Sequence, residues 1–254
     1  MLVERGIAES RHKAQALLLA GRILVNEQKV EKPGQQVDAD AEIRVLRQLQ
    51  FASRAGAKLQ AALEHFQIPI NGRTCADLGA STGGFTDCLL QRGASSVYAF
   101  DVGQGQMDWK LQADPRVIVR DKFNVRNLSP ADLSADISFV CIDLSFISVT
   151  KILIPLKESL LNRDASTAIG DIEFPTDIVV LVKPQFEVGK GEVGKGGIVR
   201  DEAKRIEALG AIESFSREAG YRVMGSIPSP ITGAEGNQEF LLYLRLEKRL
   251  SSKS

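Results

Sequence analysis

The chain has 254 residues, of which 44% are hydrophobic and 25% are charged. This composition is typical of globular proteins and excludes extensive disorder, and the length suffices for one large domain plus a small one. Lysine plus arginine and aspartate plus glutamate both number 32, so the overall charge gives no nucleic-acid signal and RNA binding would depend on local patches.

The apolar runs and the N-terminal residues bear on where the protein resides. No apolar run approaches the roughly 20 residues that span a bilayer. Residues 1–20 lack the basic flank and continuous apolar stretch of a secretory signal. We therefore expect no membrane association and a cytoplasmic location.

Cysteine and histidine are scarce. Cys75, Cys88 and Cys141 are scattered among apolar neighbours, which predicts small core residues rather than disulfides or a C-x-x-C metal site. Only His12 and His65 are present, and we expect both at the surface or at a domain boundary. This inventory disfavours a zinc site and a serine–histidine triad, and we predict no bound metal.

Residues 1–46 are predicted to form a small α+β domain. An alanine- and leucine-rich helix is expected over residues 8–19, with Ser10 as its N-cap and Gly21 as its stop. Short strands are expected at residues 23–26, 30–32 and 41–46, separated by turns. A core of this size is marginal, so the domain is expected to dock on something larger. Residues 47–51 are interpreted as a linker.

Residues 52–254 are predicted to form an α/β domain with a Rossmann-like, seven-stranded sheet. Helical patterns alternate with apolar runs, which indicates a parallel sheet covered by helices on both faces. The strands are expected at residues 74–77, 96–101, 117–119, 137–143, 178–182, 221–226 and 239–245. The last two are joined by a proline- and glycine-rich connection and are expected to form an antiparallel hairpin at the sheet edge. Residues 166–177 are interpreted as a loop without an assigned function.

A glycine-rich turn gives the clearest chemical signal. Asp77-Leu78-Gly79-Ala80-Ser81-Thr82-Gly83-Gly84 lies between a predicted strand and a helix that begins near Phe85. Glycines let the backbone approach a ligand, and a helix N-terminus attracts an anion such as a phosphate or a carboxylate. The plain structural alternative is a turn that only connects strand to helix.

An acidic residue on the next strand favours a nucleoside cofactor. Asp101 ends that strand, where a carboxylate can accept hydrogen bonds from both ribose hydroxyls of an adenosine. The G-x-G-x-x-G fingerprint of dinucleotide binding is missing, and Asp77 would repel a pyrophosphate while suiting a methionine ammonium group. The pattern therefore fits S-adenosylmethionine better than NAD.

Two further predicted strand ends complete this crevice. Asp121, Lys122 and Phe123 follow one strand and are expected to line the adenine, and Asp143 follows another at the reaction edge. An aspartate after a strand is also a common helix cap, so the sequence leaves both roles open for Asp143.

A second glycine-rich segment resembles a phosphate-binding loop. Residues 189–196 read G-K-G-E-V-G-K-G and match the first seven positions of a P-loop, but Gly196 stands where Ser or Thr should hold magnesium. Residues 184–188 also separate this segment from its strand. We therefore disfavour nucleotide hydrolysis and interpret the segment as a basic substrate flap.

Basic residues on the first domain form a candidate RNA-binding face. These residues are Arg5, Arg11, Lys13, Arg22 and Lys29. Arg11 and Lys13 lie near the start of the predicted helix, where a phosphate would also meet the helix dipole. Glutamates are interleaved with them, so an ordinary solvated surface is the alternative.

Several longer motifs make the chain resemble a known family. In order, the chain contains D-L-G-A-S-T-G-G-F-T-D-C-L-L-Q-R-G-A, D-V-G-Q-G-Q, D-L-S-F-I-S, L-V-K-P-Q-F-E and G-N-Q-E-F. These motifs resemble the TlyA family of rRNA 2′-O-methyltransferases, historically called hemolysins. The resemblance covers essentially the whole chain. It implies a front module similar to an RNA-binding domain first seen in a ribosomal protein, followed by an FtsJ-like methyltransferase domain.

The resemblance also implies site residues. FtsJ-like ribose methyltransferases use a Lys-Asp-Lys-Glu tetrad, and Lys58, Asp143, Lys183 and Glu239 match it. A lysine could act as base or, as an ammonium, stabilise the developing alkoxide, and we assign that role to Lys183. Asp143 and Glu239 would orient the lysines, and Lys58 would steer the hydroxyl or an adjacent phosphate.

The full cofactor-binding set combines the turn with the later strand ends. It comprises Asp77, Gly79, Ala80, Ser81, Thr82, Gly83, Gly84, Phe85, Asp101, Val102, Asp121, Lys122, Phe123 and Asp143. One departure stands out: Ala55 occupies a position where the family usually has glycine, which could alter the entry to the helix that carries Lys58.

The resemblance therefore predicts 2′-O-methylation of ribose, with cytidine as the expected nucleoside, in ribosomal RNA or ribosomal subunits and with S-adenosylmethionine as cofactor. A membrane-active hemolysin and a non-catalytic RNA-binding protein are the alternatives. The sequence leaves open the modified position, the ribosomal subunit and the oligomeric state.

Overall fold

The computed structural model describes residues 1–19, 23–30, 32–38, 40–45, 50–163, 175–189, 191–194, 196–233 and 236–247. The chain divides into two compact units, Met1–Leu49 and Gln50–Ser254. The segment that was interpreted as a linker, residues 47–51, overlaps the second unit, because the Phe51 ring is buried in that unit's core.

The first unit contains one helix and a three-stranded sheet. The elements are α1 (Arg11–Leu19), β1 (Ile23–Val25), β2 (Gln28–Val30) and β3 (Ile43–Val45). Strand β1 is central and pairs antiparallel with both neighbours. This agrees with the predicted α+β arrangement, although all four elements are shorter or shifted relative to the expected ranges.

Local turn and cap chemistry accounts for the shifts. Ser10 is the N-cap, because its Oγ accepts a hydrogen bond from the Lys13 N–H at 3.2 Å, so α1 begins after Ser10 and not at residue 8. Asn26 and Glu27 both have positive φ, which gives a two-residue turn of type I′ and starts β2 at Gln28 rather than at residue 30. Gly21, the predicted helix stop, lies outside the described residues.

The second unit is an α/β domain with helices on both faces of one sheet. Its helices are α2 (Ala55–His65), α3 (Gly84–Gln91), α4 (Trp109–Gln112), α5 (Thr150–Asn162), α6 (Pro184–Glu187) and α7 (Glu202–Glu218). Its strands are β4 (Thr74–Leu78), β5 (Ser96–Phe100), β6 (Val117–Arg120), β7 (Ile137–Ile142), β8 (Thr176–Val182), β9 (Arg222–Pro228) and β10 (Phe240–Leu246). The seven strands have the order β6-β5-β4-β7-β8-β10-β9.

Buried strands at the centre of the sheet separate two apolar clusters. In β8, Val180 and Val182 face a cluster that includes residues of α5 and α7, while Val179 and Leu181 face one that includes residues of α2 and α3. Successive side chains of a strand point to opposite faces, so a strand that is buried on both faces reads as a continuous apolar run. Cys75, Cys88 and Cys141 are buried and free, as predicted.

The direction of β10 decides which residues meet at the functional edge. Strands β4, β5, β6, β7 and β8 run parallel, whereas β10 lies antiparallel between β8 and β9, in register with Phe240 opposite Val182. The start of β10 therefore lies beside the end of β8. This brings Glu239 to the same edge as Lys183, and it confirms the predicted antiparallel hairpin.

The predicted loop at residues 166–177 is wrong at its end, because Asp177 belongs to β8. Its carboxylate accepts hydrogen bonds from Tyr243 Oη at 2.6 Å, Arg73 Nη1 at 2.8 Å and Arg245 Nε at 2.9 Å. Burial alone would raise the pKa of Asp177, but these hydrogen bonds and the charge of Arg73 lower it below its ordinary value. The three partners thus allow an acidic residue within a buried strand. Residues 164–174 lie outside the described part of the chain.

We predict that Asp177→Asn destabilises the protein in a pH-dependent way. A carboxyl whose pKa is lower in the folded state adds stability above its unfolded pKa of about 3.9, and this stability is lost as the pH falls through the folded pKa. We expect the unfolding free energy at pH 7 to fall by about 2–4 kcal/mol, since two arginines lose their charged partner. The loss is not larger because the side chains of both arginines remain partly exposed to water. Urea denaturation at pH 7 and pH 3 measures it.

The matched control is Asp114→Asn. Asp114 forms an ion pair with Arg116, and its side chain is more exposed than that of Asp177. We expect this substitution to change the unfolding free energy little at either pH. Equal destabilisation of Asp177→Asn at pH 3 and pH 7 would contradict the electrostatic explanation and would point to packing alone.

Candidate functional site

The glycine-rich turn after β4 is packed between two other segments of the second unit. Gly79 has a φ of +94°, and a Cβ atom there would lie 2.2 Å from the backbone oxygen of Asp143. A Cβ atom at Gly84 would lie 2.1 Å from Ser53 Oγ, just before α2. Only glycine permits these close approaches. The turn therefore packs against both the start of α2 and the loop after β7.

Asp77 lies beneath this turn and is fully buried. Thr86 Oγ1 of α3 donates a hydrogen bond to Asp77 Oδ2 at 2.7 Å, while Oδ1 is among the few buried side-chain atoms of the described residues that have no hydrogen-bond partner. Burial, and after it the charge of Asp143, raises the pKa of Asp77 to about 7. A positive charge near the turn would relieve this cost.

Two adjoining cavities open beside the turn. The larger, of about 520 Å³, is lined by Gly79, Ser81, Phe100, Asp101, Val102, Gln106, Phe123, Asn124, Val125, Arg126, Asp143, Leu144, Ser145, Phe146 and Ile147. The smaller, of about 100 Å³, is lined by Ser53, Ala55, Gly79, Ala80, Ser81, Thr82, Gly84, Phe85 and Asp143. Most predicted cofactor-binding residues thus surround one continuous region. Asp77, Gly83, Asp121 and Lys122 line neither cavity.

Acidic side chains after β5 and β6 fix the loops that border the larger cavity. Asp101 accepts hydrogen bonds from the Ser81 N–H at 2.8 Å and the Gly103 N–H at 2.7 Å, so it ties two loops together. Asp121 accepts one from the Gly105 N–H at 2.8 Å. Each carboxylate oxygen of Asp101 retains a lone pair for a ligand. Asp121 therefore holds the loop through this hydrogen bond, and it does not line the cavity.

The four predicted catalytic residues form two ion pairs at the same edge. Lys58 Nζ lies 2.5 Å from Glu239 Oε2, and Lys183 Nζ lies 2.7 Å from Asp143 Oδ1. The second contact lacks hydrogen-bond geometry at Oδ1, and Lys183 Nζ instead donates a hydrogen bond to Ser145 Oγ at 2.9 Å. The structure thus joins residues that lie far apart in sequence into two lysine–carboxylate pairs.

The Lys58–Glu239 pair is held by a helix and a strand start. Lys58 is 8% exposed on α2 and Glu239 is 2% exposed before β10. A Cβ atom at Gly233 would lie 2.5 Å from Glu239 Oε1, so glycine leaves room for the carboxylate. Ala55 is the first residue of α2 and has no positive φ, so the alanine that departs from the family pattern is compatible with the helix that carries Lys58.

Sequence reasoning missed several residues around the site. Ser145 is the hydrogen-bond partner of Lys183, and Asn124 and Arg126 line the larger cavity. Asn237 is 1% exposed; its Oδ1 accepts from the Val199 N–H at 2.9 Å and its Nδ2 donates to a backbone carbonyl of the same segment. Ser145 belongs to the motif D-L-S-F-I-S and Asn237 to the motif G-N-Q-E-F. Membership of these family motifs was the sequence signal that could have identified them as site residues.

The segment at residues 189–196 does not have the setting of a P-loop. Helix α6 separates it from β8, and α7 begins only at Glu202. A P-loop requires a direct passage from a buried strand to a helix. This agrees with the sequence-based rejection of nucleotide hydrolysis. Positions 190 and 195 lie outside the described residues.

The predicted RNA-binding residues belong to the first unit. Arg5 donates a 2.7 Å hydrogen bond to a backbone carbonyl oxygen, and Lys13 forms an ion pair with a glutamate four residues earlier. Arg11 begins α1 and is exposed, as is Lys29 in β2. Arg22 lies outside the described residues. Four of the five are thus exposed on one small unit.

Within the described ranges, no group of three or more metal-ligating side chains comes together. No described helix combines the length and apolar character needed to cross a membrane.

Comparison with known proteins identifies both units. Residues 51–246 match the model of the FtsJ-like methyltransferase family, and residues 1–43 match the S4 domain. The chain is 43% identical, over 256 aligned positions, to the 16S/23S rRNA (cytidine-2′-O)-methyltransferase TlyA of Mycobacterium tuberculosis, covering 99% of this chain and 91% of that protein.

Two hemolysin-named proteins are also similar. Hemolysin A of Brachyspira hyodysenteriae is 41% identical over 240 residues, covering 94% of this chain and 95% of that protein. A solved structure of a protein named as a hemolysin, from Streptococcus thermophilus, has a TM-score of 0.73 at 36% identity and covers 99% of this chain and 90% of that chain. The chain therefore belongs to the TlyA family of FtsJ-like methyltransferases, with an S4 domain at its N-terminus.

Proposed function

We propose that the protein transfers the methyl group of S-adenosylmethionine to a ribose 2′-hydroxyl of ribosomal RNA, with cytidine as the target nucleoside. The observation that carries this proposal is the meeting of two lysine–carboxylate ion pairs beside the glycine-rich turn. The rRNA (cytidine-2′-O)-methyltransferase from Mycobacterium tuberculosis, which aligns over nearly the whole chain, supports the same reaction and substrate class.

The residues around the turn fit the proposed cofactor. The glycines let the turn pack closely against the loop after β7 and the residues before α2, and the cavities open beside this turn. The N-terminus of α3 offers N–H groups to a carboxylate. The buried Asp77, with one oxygen lacking a partner, favours a cationic group above it. Asp101 would bind the ribose hydroxyls, Phe123 would line the adenine, and Asp143 borders both cavities.

When bound, S-adenosylmethionine supplies an activated methyl group, so the chain's own residues must align the ribose hydroxyl and manage its charge. Lys183 is paired with Asp143 and hydrogen-bonded to Ser145, which fixes its Nζ at the cavity edge. As an ammonium it can donate a hydrogen bond to the oxygen as negative charge develops, while the hydroxyl proton leaves to water as the new O–C bond forms and the S–C bond breaks. The Lys58–Glu239 pair would steer the hydroxyl or a neighbouring phosphate.

The S4 domain is proposed to dock structured ribosomal RNA. Its exposed basic residues suit phosphate contacts, and the low aromatic content of 6% disfavours extensive base stacking. This composition favours recognition of shape and backbone on ribosomal RNA or a ribosomal subunit. The proposed substrate places the protein in the cytoplasm.

Two alternative functions differ from methyl transfer in what they require of the protein. A non-catalytic RNA-binding protein is disfavoured because all four tetrad residues are present and paired. A membrane-active hemolysin is suggested only by the names of relatives. Release of dye from liposomes by the purified protein would support that second function, and intact liposomes beside measurable methyl transfer would reject it.

We predict that Lys183→Ala abolishes most methyl transfer. Loss of the group that stabilises the reacting oxygen should reduce the rate about 10²–10⁴-fold, with cofactor binding little changed. The measurement is transfer of labelled methyl from S-adenosylmethionine to purified ribosomal subunits that lack the modification, with the product mapped by primer extension that is sensitive to 2′-O-methylation.

The matched control for this assay is Lys110→Ala, which replaces an exposed lysine on α4 whose ammonium lies 5.8 Å from the centroid of the Trp109 ring. We expect it to retain wild-type activity. Label on a base rather than a ribose, or undiminished transfer by Lys183→Ala, would reject the proposed chemistry. No transfer to either subunit by the wild type would reject ribosomal RNA as the substrate.

We predict that Arg11→Ala weakens RNA binding at every sequence tested. Removing one phosphate contact should reduce the slope of the logarithm of affinity against the logarithm of salt concentration by about 1. Filter binding to ribosomal RNA over a salt series measures this slope. Arg217→Ala on α7, whose guanidinium pairs with Glu213, is the control and should leave the slope unchanged. An unchanged slope for Arg11→Ala would remove Arg11 from the RNA-binding face.

A further inference from the structure

Two sequence motifs lie side by side at the site. Residues 183–187 follow β8, and residues 143–149 follow β7; we call them the paired segments. Lys183 at the start of one segment contacts Asp143 and Ser145 in the other. Further along, the rings of Phe186 and Phe146 lie 5.2 Å apart between centroids. The paired segments therefore contact each other at successive positions.

Glu187 makes the last contact between the paired segments. Its carboxylate accepts hydrogen bonds from Ser148 Oγ at 2.5 Å and from the Val149 N–H at 2.9 Å. Val149 is the N-cap residue of α5, where helix N–H groups lack intrahelical partners and favour a negative charge. Glu187 thus supplies, from a different segment, the cap that α5 does not obtain from its own N-cap side chain.

The loop between Asp143 and α5 needs such an external support. Phe146 has a φ of +65°, an unfavourable conformation for a residue with a side chain, and 90% of this residue is exposed. Such a conformation persists only where its surroundings impose it. Lys183 contacts the residues before this strained position and Glu187 contacts those after it, while Phe186 packs against the Phe146 ring itself. Together these contacts provide that constraint.

We propose that Glu187 is a positioning residue for methyl transfer, which acts by holding the loop that presents Ser145 to Lys183. This inference rests on the proposed function of Lys183. Glu187 lines neither cavity, so it does not touch the reacting groups. Burial raises the pKa of Glu187, and its two hydrogen-bond donors offset part of that cost.

The first test compares Glu187→Ala and Glu187→Gln with the wild type in the ribosomal-subunit assay. Alanine removes both hydrogen bonds and should lower kcat by about 10- to 100-fold, since small displacements of reacting groups have effects of this size. The KM for the subunit and the Kd for S-adenosylmethionine should change less than kcat does, because the loop held by Glu187 forms only one wall of the larger cavity. Glutamine keeps the length of the side chain and an acceptor for the Val149 N–H, so it should restore most of the activity.

The matched control is Glu158→Ala, an exposed glutamate on α5, which should behave as wild type. A kcat for Glu187→Ala within about twofold of wild type would overturn the proposal. Parallel losses of cofactor binding, RNA binding and kcat would also overturn it, because they would indicate a general structural defect. An inactive wild type would reject the proposed function itself. This result differs from an active wild type with an unaffected Glu187→Ala variant, which would reject only the role of Glu187.

A double-mutant cycle tests the route of the effect. Ser145→Ala removes the hydroxyl that accepts from Lys183. If Glu187 acts through this loop, the double variant Ser145→Ala/Glu187→Ala should lose less activity than the product of the two single losses. Strictly multiplicative losses would show that Glu187 acts independently of Ser145 and would overturn the proposed route.

Discussion

A buried ion pair joins the beginning and the end of the methyltransferase domain. Lys58 on α2 and Glu239 before β10 are separated by 181 positions in the sequence, and both side chains are almost completely buried. Removing two charges from water is costly, and a buried charge that loses its partner costs several kcal/mol. The sheet order must therefore place the start of β10 beside α2 and the end of β8, which is what an antiparallel β10 achieves.

The two ion pairs differ in their contact with the cavities, and this difference suggests different roles. Asp143 lines both cavities, whereas Glu239 lines neither and its side chain is 3% exposed. The two lysines line neither cavity, and their side chains are similarly buried, at 12% exposed for Lys183 and 10% for Lys58. The Lys183–Asp143 pair therefore borders the cavities through its carboxylate, and the Lys58–Glu239 pair is more enclosed. The resemblance to related enzymes treats the four residues as one tetrad. Under the proposed function, the bordering pair would act at the reacting oxygen and the enclosed pair would steer the hydroxyl or a neighbouring phosphate.

The sequence predicted the sheet because buried parallel strands read as continuous apolar runs, and the edge hairpin because its connection is rich in proline and glycine. It missed Asp177 in β8, since an acidic residue in a strand depends on Arg73 and Arg245, which lie 104 and 68 positions away. It identified the tetrad only through family motifs. No local pattern shows that Lys58 and Glu239 pair, and no local pattern separates the structural role of Asp121 from a ligand contact.

Unfavourable local features concentrate at the carboxyl edge of the sheet. The buried side-chain atoms without a hydrogen-bond partner, within the described residues, belong to Asp77, Asp143 and Gln185, which follow or end β4, β7 and β8. Ser81 and Phe146, in the loops after β4 and β7, have positive φ. Natural folds satisfy polar groups and avoid strain unless a site requires otherwise. The apolar core on both faces of the sheet supplies the stability that offsets these costs, and Asp143, one of the three residues with an unpartnered acceptor, lines both cavities.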